Sequence, residues 1–213
     1  MRDLEKEKDP MKMKKTLSLL LAAMMTAGLA GCGSKAADFD APDGDGDPTT
    51  LTVAMECAYA PYNWTQSDDS NGAIQIRDSS DYAYGYDVMM AKKIAEALGQ
   101  NVQIVKLDWD SLIPAVMSGD VDCVIAGQSI TAERSQQVDF SDPYYYASII
   151  TLVKKDSPYA SATSVADLAG AVCTSQLGTI WYDNCLPQIP GATILAAQET
   201  APAMLVALDS GAC

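Results

Sequence analysis

"VQIVKLDWDSLIPAVMSGDVDCVIAG", residues 102–127, decides the fold. Its first six residues (102–107) are short, apolar-rich and β-branched, and read as a strand. Residues 110–119 read as a helix with Pro114 in its first turn or two, where the missing N–H is tolerated. Residues 121–127 are almost continuously apolar, the pattern of a strand buried on both faces of a sheet. Strand, helix, strand in so short a span predicts a parallel sheet with a crossover helix.

Upstream, residues 51–56 read as another strand and a hairpin has arms near 73–77 and 82–86. "YDVMMAKKIAEALG" then places Val88, Ile94, Ala95 and Leu98 on one helical face, with Asp87 as N-cap and Gly99 as the stop. Downstream, residues 147–157 read as a long strand leaving this first unit. A second alternating unit follows: a short helix at 164–170, a strand at 171–176, a loop into a helix over 177–186 and a strand at 192–197. An amphipathic helix over 199–211 closes it, with Gly211 as C-cap. The alternation calls for one more strand, so the second unit reads as incomplete.

The chain has 213 residues, about half of them apolar, enough to bury one large core or two small ones. Its 14 basic and 28 acidic residues give a net charge of −14, which repels nucleic-acid phosphates. There is no histidine, so the commonest general base and zinc ligand is absent. No cofactor or metal is called for.

Residues 1–31 read as a signal peptide, with a basic stretch at Lys12, Lys14 and Lys15 and an apolar stretch too short to span a bilayer. Residues 1–10 precede more natural starts at Met11 or Met13. "LAGC", Leu29 to Cys32, resembles a bacterial lipobox, implying cleavage before Cys32 and lipid on its sulfur. An ordinary secretory signal is the alternative. Residues 32–50 are small, acidic and proline-containing, and read as a linker. Of the remaining cysteines, Cys123 reads as a small buried hydrophobe, and Cys173 and Cys185 could pair in an exported protein.

The richest polar cluster follows the strand ending at Gly127: Ser129, Thr131 and Arg134 stand in "GQSITAER". Thr131 reads as an N-cap, and free amide N–H groups with the two hydroxyls make an anion-binding cup. Arg134, one turn along, can offer a planar pair of donors to a carboxylate. The same residues also fit a capped surface helix with a solvated arginine.

"GYDVMMAKKIAEALG", "WDSLIPAVMSGDVDCVIAGQSITAER" and "VDFSDPYYY" in this order closely resemble the bacterial extracellular solute-binding proteins of polar-amino-acid ABC importers, over residues 50–213. The resemblance implies an α/β, two-lobed periplasmic-binding-protein-like fold, mostly parallel sheets with crossover helices: residues 51–148 as lobe 1, residues 149–213 as a hinge strand and an incomplete lobe 2. It implies capture of a free amino acid and delivery to ABC transporter permease subunits. Arg134 would clamp the ligand carboxylate, helped by Ser129 and Thr131, while Gly127 offers a carbonyl to the α-amino group. Glu56, Tyr59 and Trp109 match side-chain positions, although Trp109 also fits a core residue at a helix start. Gln176, Thr179 and Ile180 match the closing loop, Ile180 through its backbone, and Asp139 and Tyr144–Tyr146 would shape the fold. The family's acidic partner for the ligand ammonium falls beyond residue 213. A periplasmic cyclohexadienyl-type dehydratase and a sensory ligand-binding domain are the alternatives on this fold.

Overall fold

The computed structural model describes residues 48–213. The signal segment, the lipobox with Cys32 and most of the linker lie outside the described residues. Among those residues no helix is long and apolar enough to cross a membrane.

At the centre lies strand β1 (Thr50–Met55), followed in the chain by two short strands, β2 (Ala58–Tyr59) and β3 (Asn63–Gln66). Strands β4 (Ile74–Gln75) and β5 (Tyr82–Tyr84) lead into helix α1 (Tyr86–Leu98) and strand β6 (Asn101–Lys106). A 3-10 turn at Trp109–Ser111 runs into helix α2 (Leu112–Ser118), and strand β7 (Cys123–Val124) follows. The parallel sheet has the order β6-β1-β7, with Val53 level with Ile104 on one side and Cys123 on the other. Val53, Met55, Ile104, Val88 and Leu112 are fully buried, because helices and sheet enclose the middle strand on both faces.

A four-stranded antiparallel sheet, β2-β3-β5-β4, packs beside it. The expected hairpin is β4–β5, with Ile74 opposite Ala83. The β2–β3 hairpin carries no clear alternation and was not expected.

Several expectations give way to the structure. Asp87 is not the N-cap of α1; Gly85 is, at φ 131°, and a Cβ there would overlap the Tyr62 carbonyl. Asp87 sits in the first turn and is buried. The buried face of α1 is Val88, Ala91 and Ala95, while Ile94 and Leu98 are 38% and 60% exposed. β7 covers only Cys123–Val124 of the expected 121–127, both half-buried at the edge of the sheet, while Val121, Ile125 and Ala126 on either side are buried. Residues 147–154 form no strand, with Ile150 81% exposed. A strand exists only by pairing, and among the described residues none pairs with this segment.

Beyond it, Ser164 and Asp167 form a capping box on a short 3-10 turn, Val165–Leu168. Strands β8 (Val172–Cys173) and β9 (Thr193–Ile194) pair in parallel, Cys173 level with Ile194. Between them lie a wide turn at Trp181–Cys185 and a 3-10 turn at Leu186–Gln188. Helix α3 (Ala201–Ser210) is capped by Thr200, whose hydroxyl accepts from the Ala203 N–H at 3.3 Å. None of its residues is fully buried, so it does not present the buried apolar face expected of it.

Candidate functional site

Arg134 stands on a short 3-10 turn, Arg134–Gln136, just after the strand β7 region. The N-cap of this turn is Glu133 rather than the expected Thr131, whose hydroxyl accepts from the Arg134 N–H at 3.1 Å two residues further out. The guanidinium donates through Nη1 to the Ser129 carbonyl at 2.9 Å and through Nη2 to the Gly178 carbonyl at 3.2 Å. It also lies over the Trp109 ring, 5.6 Å from the centroid, a contact of about 0.5–1 kcal/mol at a part-exposed site. Burial pulls its pKa below the ordinary arginine value, and Glu133 and Asp183 oppose that pull. The guanidinium is therefore held flat, between an indole and two carbonyls.

Trp109 Nε1 donates to the same Gly178 carbonyl at 3.1 Å. Gly178 has φ 66°, and a Cβ there would overlap the Asp110 carboxylate. Only glycine fits this approach without displacing something. Nothing in the sequence marks Gly178, because a carbonyl's role is invisible in residue type.

Glu56 follows β1 and is 5% exposed. Gln176, 2% exposed, donates through Nε2 to Glu56 Oε1 at 2.8 Å and to the Glu199 carbonyl at 3.1 Å. Burial raises the Glu56 pKa, the Gln176 bond opposes the rise, and the Asp108 charge adds to it. Tyr59 stacks on Tyr62 at 5.0 Å and meets Trp181 at 5.8 Å, so two aromatic rings from the first half face one from the second. Tyr62 and Trp181 were not among the expected site residues.

Gly127 lies near this wall: a Cβ on it would sit 3.7 Å from Tyr59 Cε1. Its N–H donates to Tyr144 Oη at 3.0 Å, and that hydroxyl donates to Asp87 Oδ1 at 2.9 Å. Asn63 Nδ2 donates to the other oxygen, Asp87 Oδ2, at 2.7 Å. Burial raises the Asp87 pKa while both hydrogen bonds oppose it. Tyr144 thus braces the Gly127 backbone from behind. Thr179 is buried and engaged within its own loop, donating to the Gln176 carbonyl at 2.7 Å and accepting from the Tyr182 N–H at 3.3 Å. Ile180 is half-buried at the start of the wide turn.

The structure therefore brings Arg134, Ser129, Thr131 and Trp109 together with Gly178, and joins Glu56 to Gln176. It sets Tyr59 and Gly127 beside them. Residues from both halves of the chain meet here in direct hydrogen bonds, Arg134 and Trp109 on Gly178 and Gln176 on Glu56.

The sequence pattern of the bacterial extracellular solute-binding proteins, family 3, matches residues 51–210. The arginine-binding extracellular protein ArtP of Bacillus subtilis (strain 168) is 34% identical over 168 residues, 79% of this chain and 58% of that protein. A probable histidine-binding protein of Neisseria gonorrhoeae is 34% identical over 152 residues, 71% of this chain and 52% of its own length. The chain thus spans little more than half of these two relatives. Among solved structures, the ancestral amino acid-binding protein AncCDT-1, a precursor of cyclohexadienyl dehydratase, superposes with a TM-score of 0.65 at 35% identity, covering 78% of this chain and 67% of that one. The arginine-bound form of truncated ArgBP from T. maritima gives 0.64 at 30% identity, covering 76% and 70%. The chain belongs to the bacterial extracellular solute-binding proteins, family 3.

Proposed function

We propose that this chain captures a free amino acid between two lobes, 51–148 and 149–213, and presents it to an ABC importer in the membrane. The observation that carries this reading is the shared hold of Arg134 and Trp109 on the Gly178 carbonyl. One half of the chain supplies a planar fork of donors, and the other supplies the loop that closes on it. A ligand carboxylate takes the place of the Gly178 carbonyl on Nη2 and gains a bidentate, charge-assisted pair. Ser129 adds donors beside it, and the braced Gly127 carbonyl receives the ammonium. Closure is a population shift set by contacts that the ligand makes with both halves.

The far end of the site favours a cationic side chain. Glu56 is a buried carboxylate whose hydrogen bond comes from the Gln176 amide, with Lys106 near enough to favour its charged form. The Tyr59 and Trp181 rings lie beside each other in the same region. ArtP is named for arginine, and the T. maritima structure is arginine-bound. Export, cleavage before Cys32 and lipid on its sulfur follow from the N-terminal sequence and would hold the protein at the membrane outside the cytoplasm.

Thermal-shift titration of the full-length protein with single amino acids tests the reading. Arginine or lysine should raise Tm by several degrees, and Arg134→Ala should remove the shift. No shift with any amino acid would sink it. A dehydratase reading rests on Glu56, whose burial favours its protonated form; turnover of a cyclohexadienyl acid without such a shift would favour that reading.

A further inference from the structure

The second half of the chain carries three thiols, Cys173, Cys185 and Cys213, each half-buried and all lining one open groove of about 1550 Å³. Their neighbourhoods differ. The Ser175 hydroxyl donates to the Met204 sulfur at 3.5 Å, so the stretch leaving β8 lies against the first half of α3. β8 and β9 are parallel and α3 follows β9, so α3 runs back toward the start of β8. From Met204 to Ser210 the helix advances about 9 Å. From Ser175 back to Cys173 the extended chain covers about 7 Å. The end of α3 therefore falls level with Cys173.

There the chain turns. Gly211 has φ 78°, and the Ala212 N–H reaches back to the Ala207 carbonyl at 3.0 Å, folding the backbone over the last helical turn. Lys154 Nζ donates to the Asp209 carbonyl at 2.7 Å and pins the same turn. Cys213 follows directly. Burial is the first cause holding the Cys173 thiol above its ordinary pKa, and its proximity to Cys213 is the second.

We propose that Cys173 and Cys213 form a disulfide once the protein is exported, closed by a small-molecule disulfide such as oxidised glutathione. One protein thiolate attacks a glutathione sulfur, forming a mixed disulfide and releasing one glutathione thiolate. The second protein thiolate attacks the protein sulfur of that mixed disulfide and expels the other glutathione thiolate. Two protein thiols and one oxidised glutathione become one protein disulfide and two reduced glutathiones, the two protons passing to the departing sulfurs. The bond ties the strand of the β8–β9–α3 unit to the end of its helix and closes a loop of about 40 residues. It competes with the Cys173–Cys185 pairing that the sequence also allows.

The test reads sulfur linkage and is independent of ligand binding, though it shares the export reading. The full-length protein is treated with oxidised glutathione, alkylated, digested without reduction and mapped by mass spectrometry. A peptide joining Cys173 to Cys213 is expected, unchanged in Cys185→Ser and absent in Cys213→Ser. Dithiothreitol should lower Tm of the oxidised parent by about 5–10 °C, a shift that needs no variant to fold. Cys173 joined to Cys185, or Cys173 and Cys213 both alkylated after oxidation, overturns the proposal.

Discussion

Arg134 and Gly178, 44 residues apart in the chain, are joined by a 3.2 Å hydrogen bond from Nη2 to the carbonyl oxygen. The glycine's backbone turn and its closeness to Asp110 make that carbonyl available. A side chain at 178 disturbs both.

Once a ligand carboxylate has taken Nη2, Trp109 Nε1 still holds the Gly178 carbonyl. Gly178→Ala disturbs that remaining hold on the closing loop and should weaken amino-acid binding by about tenfold. An alanine at positive φ costs roughly 1–2 kcal/mol, and its Cβ must also push Asp110 aside. The double variant Gly178→Ala, Asp110→Gly should recover the part due to overlap and not the part due to backbone strain. Calorimetric titration of the three proteins separates the two. Wild-type affinity in Gly178→Ala would mean that the loop does not close as described.

Arg134→Lys keeps the charge and loses the fork. A lysine ammonium cannot bridge two acceptors in one plane, so a drop in affinity of about 10–100-fold is expected with the fold intact. Calorimetry gives the affinity, and circular dichroism checks the fold. An affinity within twofold of wild type would show that charge alone holds the carboxylate.

Much of the first half was legible in the sequence, because β1, β6 and α2 are set by local apolar patterning that the tertiary structure agrees with. The run at 147–157 has the same pattern and forms no strand, since pairing depends on a neighbour that composition does not reveal. The turn that carries Arg134 was legible because a strand end, a hydroxyl three residues ahead and a forked donor stand at fixed spacing, but its cap is Glu133 and not Thr131. Gly178 and Asp87 were not. One acts through a carbonyl, and the other occupies a first-turn position whose burial depends on Asn63 and Tyr144, 24 residues before it and 57 after.

Tyr144→Phe tests that buried network. It removes a donor to Asp87 and leaves the Gly127 N–H without its acceptor, a loss of about 1–3 kcal/mol. Tm should fall by several degrees. The Asp87 pKa, already raised by burial, should rise further once the opposing hydrogen bond is gone. A raised folded-state pKa means stability that is present at low pH and lost as pH rises through that value. The deficit of Tyr144→Phe should therefore widen between about pH 4 and pH 7. A deficit constant across that range would show that Asp87 does not sense the hydroxyl.

Glu56→Gln separates the ligand's side chain from its carboxylate. Burial lifts the Glu56 pKa above 4.5, so its ionisation is a strain on the unliganded fold that grows as pH rises through the folded value. The glutamine variant removes that strain, and its amide can still accept from Gln176. Its unliganded Tm at pH 7 should rise by about 2–4 °C, roughly 1 kcal/mol, with a flatter pH profile from 4 to 7. Affinity for arginine should fall at least tenfold at pH 7 and less at pH 5, where the wild-type carboxyl is more protonated. Affinity for glutamine should hold or rise. If arginine binds Glu56→Gln as tightly as wild type at both pH values, the carboxylate does not recognise the side chain.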